Sequence, residues 1–173
     1  MNAVGTKELH TPRLTLRKIC AADTESLFEC GCLGDSLEDA QRSVQKMIQC
    51  CNDPMNFHWV MEYQSHSIGR IKAWDISLRD NYAQLGYEIG AAFRSKGLMT
   101  EAVRAVCSYM LTEAGFNRLY CTIRENNLPS IRVCEKAGMT FDGIMRKHFK
   151  QSDGIYTDVR IYSILASEIL PSV

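Results

Sequence analysis

The chain has 173 residues, 46% of them hydrophobic, which is ordinary for a globular protein and enough for one domain to bury its own core. Twenty Lys and Arg balance twenty Asp and Glu, and this zero net charge gives no support for a nucleic-acid or membrane-surface binder, whose affinity rests on clustered positive charge. No apolar run approaches the roughly 20 residues needed to cross a bilayer, and the opening Met1–Glu8 lacks a signal-peptide core, so the expectation is a cytoplasmic protein.

In chain order, Arg13 to Ile19 alternates apolar and polar residues and predicts a strand. Ala21 to Cys32 reads as a short helix begun near Asp23. A second helix starts at Ser36 as N-cap, with Glu38 and Asp39 in its first turn, and runs to about Cys51. Phe57–Tyr63 and Ser67–Ser77 read as strands with a turn near His66. A polar connection, Leu78–Tyr82, leads into the strand Ala83–Ile89. No repeat or linker is present.

The next segment carries most of the chemistry. Arg94-Ser95-Lys96-Gly97-Leu98-Met99-Thr100 joins that strand to a long helical pattern. A helix start leaves backbone N–H groups unpaired where the helix dipole favours anions, and Arg94 and Lys96 add positive charge. One reading is a pyrophosphate cradle; the other is an ordinary strand–loop–helix connection. Met99, Val103, Val106, Met110 and Ala114 recur at helical spacing as one buried stripe, closed by Gly115 as a C-cap glycine. Asn117–Ile123 predicts another strand. Asn127 is a natural N-cap, Pro129 is tolerated in a first turn, and Gly138 ends the short helix between them. Two final strands complete an α/β pattern.

Eight cysteines invite a metal or disulfide reading. Cys30-Gly31-Cys32 and Cys50-Cys51 are too close for zinc-ligand pairs, and no His-x₃₋₅-His follows, so the expectation is no metal and reduced thiols. Only Cys134 merits a functional argument.

The succession from Leu85 to Met139 resembles the GNAT superfamily of acetyl-CoA-dependent N-acetyltransferases, and within it the ribosomal-protein N-acetyltransferase (RimJ/RimL-like) branch. Arg94-Ser95-Lys96-Gly97-Leu98-Met99 resembles its Arg/Gln-x-x-Gly-x-Gly/Ala motif. Asn127-Leu128-Pro129-Ser130 with Glu135-Lys136-Ala137-Gly138-Met139 resembles its Asn-x-x-Ser…Glu-Lys-x-Gly-Phe signature. Leu9–Arg17 and Asp153–Leu165 resemble its first and last strands. The resemblance implies a single N-acetyltransferase domain over residues 8–170. Its fold is α/β (α+β), a mixed, mostly antiparallel sheet splayed at its fourth and fifth strands, with flanking helices.

The same resemblance places acetyl-CoA, as co-substrate, in the splay. The main chain at Ile89 and Ala91 would pair with the pantetheine amides, while Arg94, Lys96, Gly97, Met99 and Thr100 would hold the pyrophosphate. Asn127 would bond the pantetheine arm, cap its own helix, or do both. Met99 stands where the motif has a small residue, so the cradle requires its side chain to turn toward the core.

The chemistry implied is direct attack of a neutral amine on the thioester. The leaving thiol has a pKa near 8.5, so protonating it needs only a mild acid. Many family members use a tyrosine seven residues after the motif asparagine; here that position is Cys134. The branch instead implicates Ser130, with Cys134 as runner-up or as a packed core residue. Glu88 is the first candidate base, its other readings being a solvated charge or a partner for Arg94; His148 and Asp158 come after it. The acceptor is a primary amine, either a protein N-terminus or a small molecule. The alternative is a CoA-binding regulatory module without efficient turnover. The short connection Cys32–Asp35 leaves the acceptor site open or completed by a second subunit. A long last strand, Ile155–Leu165, read as a sheet edge, suggests a homodimer, against a monomer whose edge is hidden by Leu9–Arg13.

Overall fold

The computed structural model describes residues 4–169. A two-strand hairpin opens the chain, β1 (Leu9–His10) and β2 (Thr15–Arg17), followed by α1 (Asp23–Glu29) and α2 (Leu37–Cys50). Three strands come next: β3 (His58–Tyr63), β4 (His66–Ser77) and β5 (Tyr82–Ile89). A single 3-10 turn (Ala91–Phe93) leads to α3 (Leu98–Thr112), then β6 (Arg118–Arg124), α4 (Leu128–Ala137), β7 (Thr140–Lys150) and β8 (Tyr156–Leu165).

Local chemistry accounts for most boundaries. Ser36 Oγ accepts the Asp39 amide at 3.2 Å and starts α2 as expected. The β3–β4 turn is Gln64-Ser65, both at positive φ, inside the expected connection, with His66 already the first residue of β4. The expected opening strand is shorter and is preceded by β1, because the Thr11 amide turns back to the Leu14 carbonyl at 2.9 Å. The stripe Met99, Val103, Val106, Met110 and Ala114 is buried throughout. Gly115 lies past the helix end rather than at its cap; at φ +81 it lets the Phe116 amide reach the Met110 carbonyl at 3.0 Å.

The strands form one sheet in the order β1-β2-β3-β4-β5-β6-β8-β7, antiparallel throughout except where β5 meets β6. Those two pair only at Tyr82 with Arg118, Ala83 with Leu119 and Gln84 with Tyr120. Beyond Gln84 they part, leaving a wedge between residues 85–89 and 121–124. This is the expected splay; it falls at the fifth and sixth strands only because the opening strand is a hairpin of two.

Helices cover both faces. On one, α3 and α4 pack against Leu16, Trp59, Ile71, Leu85 and Leu119. On the other, α1 and α2 cover β3 through Leu27, Ala40, Val44 and Val60. Beneath α1, the nearly fully buried carboxylate of Asp23 accepts Arg17 twice, at 2.8 and 2.9 Å, Ser67 Oγ at 2.5 Å and the Cys20 amide at 2.7 Å. Burial opposes its ionisation, but these donors prevail and hold the carboxyl below the usual carboxylate range.

The reading of the last strand as a sheet edge is corrected. β8 lies between β6 and β7, paired along both sides, and β7 takes the edge. The Leu9–Arg13 segment runs along the opposite edge and cannot cover it. The inference of a homodimer through the last strand therefore loses its premise. β7 is interrupted by register shifts near Gly143 and between Met145 and Phe149, irregularities that blunt an edge against further pairing.

Candidate active site

The wedge brings the expected cofactor residues to one place. β5 ends at Ile89, after which the Gly90 amide still reaches Ile68 O at 2.9 Å and the chain turns sharply through Ala91–Phe93. An added Cβ at Gly90 would stand 2.7 Å from Cys30 Cβ, so only glycine passes close to the α1 end. Ala91, Arg94 and Lys96 are exposed along this turn, and Arg94 Nε donates to Ile89 O at 3.3 Å. Gly97, at φ +77, is the N-cap of α3 and has no side-chain cap. The first amide bonded within the helix is Glu101 N, to Gly97 O at 3.0 Å. Leu98, Met99 and Thr100 therefore present uncapped amides at a positive helix end. Met99 is 6% exposed, its side chain buried in the core, as a working cradle requires.

One acidic group sits in that first turn, and an unexpected brace compensates it. The Glu101 carboxylate accepts Thr11 Oγ1 at 2.6 Å, the Arg13 amide at 2.9 Å and Arg13 Nε at 2.7 Å. Burial opposes the charge, but the hydrogen bonds from Thr11 and Arg13 hold the carboxyl below its ordinary value. Arg13 Nη1 also donates to Lys96 O at 2.9 Å, so one guanidinium fixes both the turn and the acid beside it. Sequence reasoning placed Arg13 only in a strand; Thr11-Pro12-Arg13 carried no local sign of a partner 88 residues away.

The opposite wall comes from α4. Asn127 caps the helix, its Oδ1 accepting the Ser130 amide at 3.3 Å. Ser130 is half-buried, and its hydroxyl has no partner among the described residues. Cys134 is fully buried, its Sγ 3.4 Å from the Tyr87 hydroxyl. A hydrogen bond from Cys121, against burial and with help from Tyr87, holds the Cys134 thiol below its ordinary value. Tyr87, which the sequence reading did not single out, crosses the wedge from β5 to α4, its hydroxyl donating to Ser130 O at 3.0 Å. Burial pushes that phenol far above its ordinary value, so it stays protonated. The alternation Leu85, Tyr87, Ile89 was the available clue that this ring faces α4.

Glu88 lies on the other face of β5 and pairs with Arg70, its neighbour on β4, rather than with Arg94. His148 and Asp158 lie in the β7–β8 hairpin, where Asp158 Oδ1 accepts the Lys147 amide at 2.7 Å. Among the described residues, no group of three or more His, Cys, Asp or Glu side chains could hold a metal ion, and no helix is long and apolar enough to cross a membrane.

Residues 13–140 match the acetyltransferase (GNAT) domain. Two Bacillus subtilis proteins are similar, one named a probable and the other an uncharacterized N-acetyltransferase. YjcK is 41% identical over 83 residues, which span 48% of this chain and 45% of YjcK. YoaA is 26% identical over 170 residues, covering 91% of this chain and 96% of YoaA. Among solved structures, RimL, a ribosomal L7/L12 alpha-N-protein acetyltransferase in complex with coenzyme A, superposes with a TM-score of 0.80 at 19% identity, over 92% of this chain and 98% of that one. With the splayed sheet and the uncapped helix start in place, and with the domain match spanning most of its length, the chain belongs to the GNAT acetyltransferase family.

Proposed function

We propose that residues 8–170 form one acetyl-CoA-dependent N-acetyltransferase domain that passes the acetyl group to a primary amine. The observation that carries the reading is the uncapped start of α3 beside the wedge, with Gly97 left-handed, Met99 turned into the core and Glu101 neutralised by Arg13. The pyrophosphate lies on the amides of residues 98–100 with Arg94 and Lys96 alongside, and the pantetheine runs in the wedge along Ile89 and Ala91, with Asn127 opposite. Similarity to RimL, which binds coenzyme A, supports the same cofactor.

In the reaction the amine nitrogen forms a bond to the thioester carbonyl carbon and the C–S bond breaks. The amine gives up a proton and the sulfur takes one. Ser130 donates to the sulfur: its hydroxyl is uncommitted, and Tyr87 and Asn127 hold its backbone from two sides. Cys134, sealed behind Tyr87, supports that wall. Glu88, on the far side of the wedge, receives the amine. An α-amine of pKa about 7.7–8.0 is roughly a tenth neutral at pH 7, so it needs little help from a base.

The test is calorimetry with acetyl-CoA, followed by CoA release with a mixed panel of amines and N-terminal peptides. Binding followed by amine-dependent release is the expected result. Binding without release by any amine favours the alternative, a CoA-binding regulatory module, and absence of binding removes the cradle.

A further inference from the structure

The face of the sheet opposite α3 and α4 defines what approaches the acetyl group. Strand parity puts Gln84, Gly86 and Glu88 of β5 on that face, because Ala83, Leu85, Tyr87 and Ile89 belong to the core on the other side. Arg70, Lys72 and Trp74 of β4 share the face, as do Tyr120, Thr122 and Arg124 of β6. Gln84 Nε2 donates to Thr122 Oγ1 at 2.7 Å across the last closed part of the seam, and the wedge opens immediately after. Lys72, Trp74 and Arg124 on this face are exposed.

Two features of this mouth are built rather than incidental. Gly86 is the seat of Trp74: an added Cβ would lie 2.3 and 2.4 Å from indole carbons, so the edge of the ring fills the space a side chain would take at the point where the wedge begins. The cations here also rest on rings instead of carboxylates. Lys72 Nζ stands 5.0 Å from the Trp74 ring centre, and the Arg124 guanidinium 3.8 Å from that of Phe149. Neither has a carboxylate partner among the described residues. A ring beneath a cation holds it in place while leaving its N–H donors free. Arg70, by contrast, is committed to Glu88. Among the described residues of this face, Asp75 is taken up by the Tyr120 hydroxyl at the closed part of the seam, while Glu88 stands beside the open wedge, flanked on both sides by cations with unused donors.

We infer that the acceptor is a primary amine that also carries an anionic group, a carboxylate or a phosphate. The amine meets Glu88 at the wedge, and the anion is received by Arg124 and Lys72. This rests on the acetyltransferase reading above and narrows it to a substrate class.

Matched pairs test it: L-phenylalanine against L-phenylalaninamide, and O-phosphoethanolamine against ethanolamine. Both CoA release and calorimetric binding to the CoA-loaded protein are measured. The carboxamide has the more readily deprotonated amine, so chemistry alone favours the neutral member. At least a tenfold preference in kcat/KM for the anionic member of either pair is expected, and which pair shows it tells carboxylate from phosphate. Arg124→Gln and Lys72→Gln should each cut that preference about tenfold through KM, leaving the acetyl-CoA dissociation constant unchanged. Equal use of both members, a preference indifferent to the two substitutions, or no binding and no reaction of the anionic amines in a protein that still binds acetyl-CoA would each overturn the inference. Failure of the wild-type protein to bind acetyl-CoA would instead overturn the reading beneath it.

Discussion

His58 should make this protein sensitive to mild acid. The ring is 7% exposed on β3, its Nε2 has no hydrogen-bond partner among the described residues, and Arg70 and Lys72 stand on the neighbouring strand. Burial, then the two cations, lower its pKa from 6.5 to about 4. Because the folded value lies below the unfolded one, the unfolded chain binds the proton first as pH falls. Stability is therefore intact above pH 6.5, declines between 6.5 and 4, and suffers no further loss from this group below 4. At about 1.4 kcal/mol per unit the loss approaches about 3 kcal/mol, a large share of the 5–15 kcal/mol that holds a typical domain together. Urea unfolding at pH 7 and pH 4, in the wild type and in His58→Gln, isolates it. The variant should lose about 3 kcal/mol less across that interval, other groups titrating alike in both. An NMR titration placing the His58 pKa above 6, or parallel losses in both proteins, would refute the argument.

Acetyl-CoA at a hundredfold excess over Kd should stabilise the fold by about 2.7 kcal/mol, roughly 5–10 °C in Tm for a domain of this size. Gly97→Asp should abolish that shift by adding negative charge at the helix start, whereas Gly97→Ala should cost about 1–2 kcal/mol from its left-handed φ of +77 while keeping part of the shift; thermal scans with and without acetyl-CoA distinguish them. Ser130→Ala should lower kcat by about 10–100-fold with little change in acetyl-CoA Kd, while Cys134→Ala acts mainly on stability; the reverse pattern in steady-state kinetics would exchange their roles. Asp23→Asn should destabilise the fold by about 1–3 kcal/mol, because the buried side chain loses its charge-assisted bonds while half-buried Arg17 keeps Glu62, read by chemical denaturation.

What could be read from the chain was what neighbours in sequence decide. Ser36 and Asn127 announce their helices because a cap bonds an amide three residues away. The Met99–Ala114 stripe is legible because one helix face returns every three to four residues. Contacts between distant segments were not legible. Nothing near Arg13 indicates Glu101, and nothing near Glu88 indicates Arg70, since strand register is set by the whole sheet. The same reason hid the order of the last two strands: β8 inserts between β6 and β7, an arrangement that alternation within Ile155–Leu165 cannot distinguish from an edge. Its place seven residues after the motif asparagine directed attention to Cys134, whereas the polar contact across the wedge belongs to Tyr87.

The Arg13 brace has a consequence for the order of assembly. Arg13 and Lys96 lie 83 residues apart, and their bond closes the turn before α3 only after the first hairpin has docked on the start of that helix. A partly folded chain whose middle has condensed but whose beginning is still loose would carry an uncompensated Glu101 carboxylate beside the proposed phosphate site, and would repel the anion. Cofactor capture thus becomes a late checkpoint: nucleotide recognition reports that the earliest-synthesised segment has found its place, and bound acetyl-CoA in turn should slow amide exchange across residues 9–17 through the Arg13 brace.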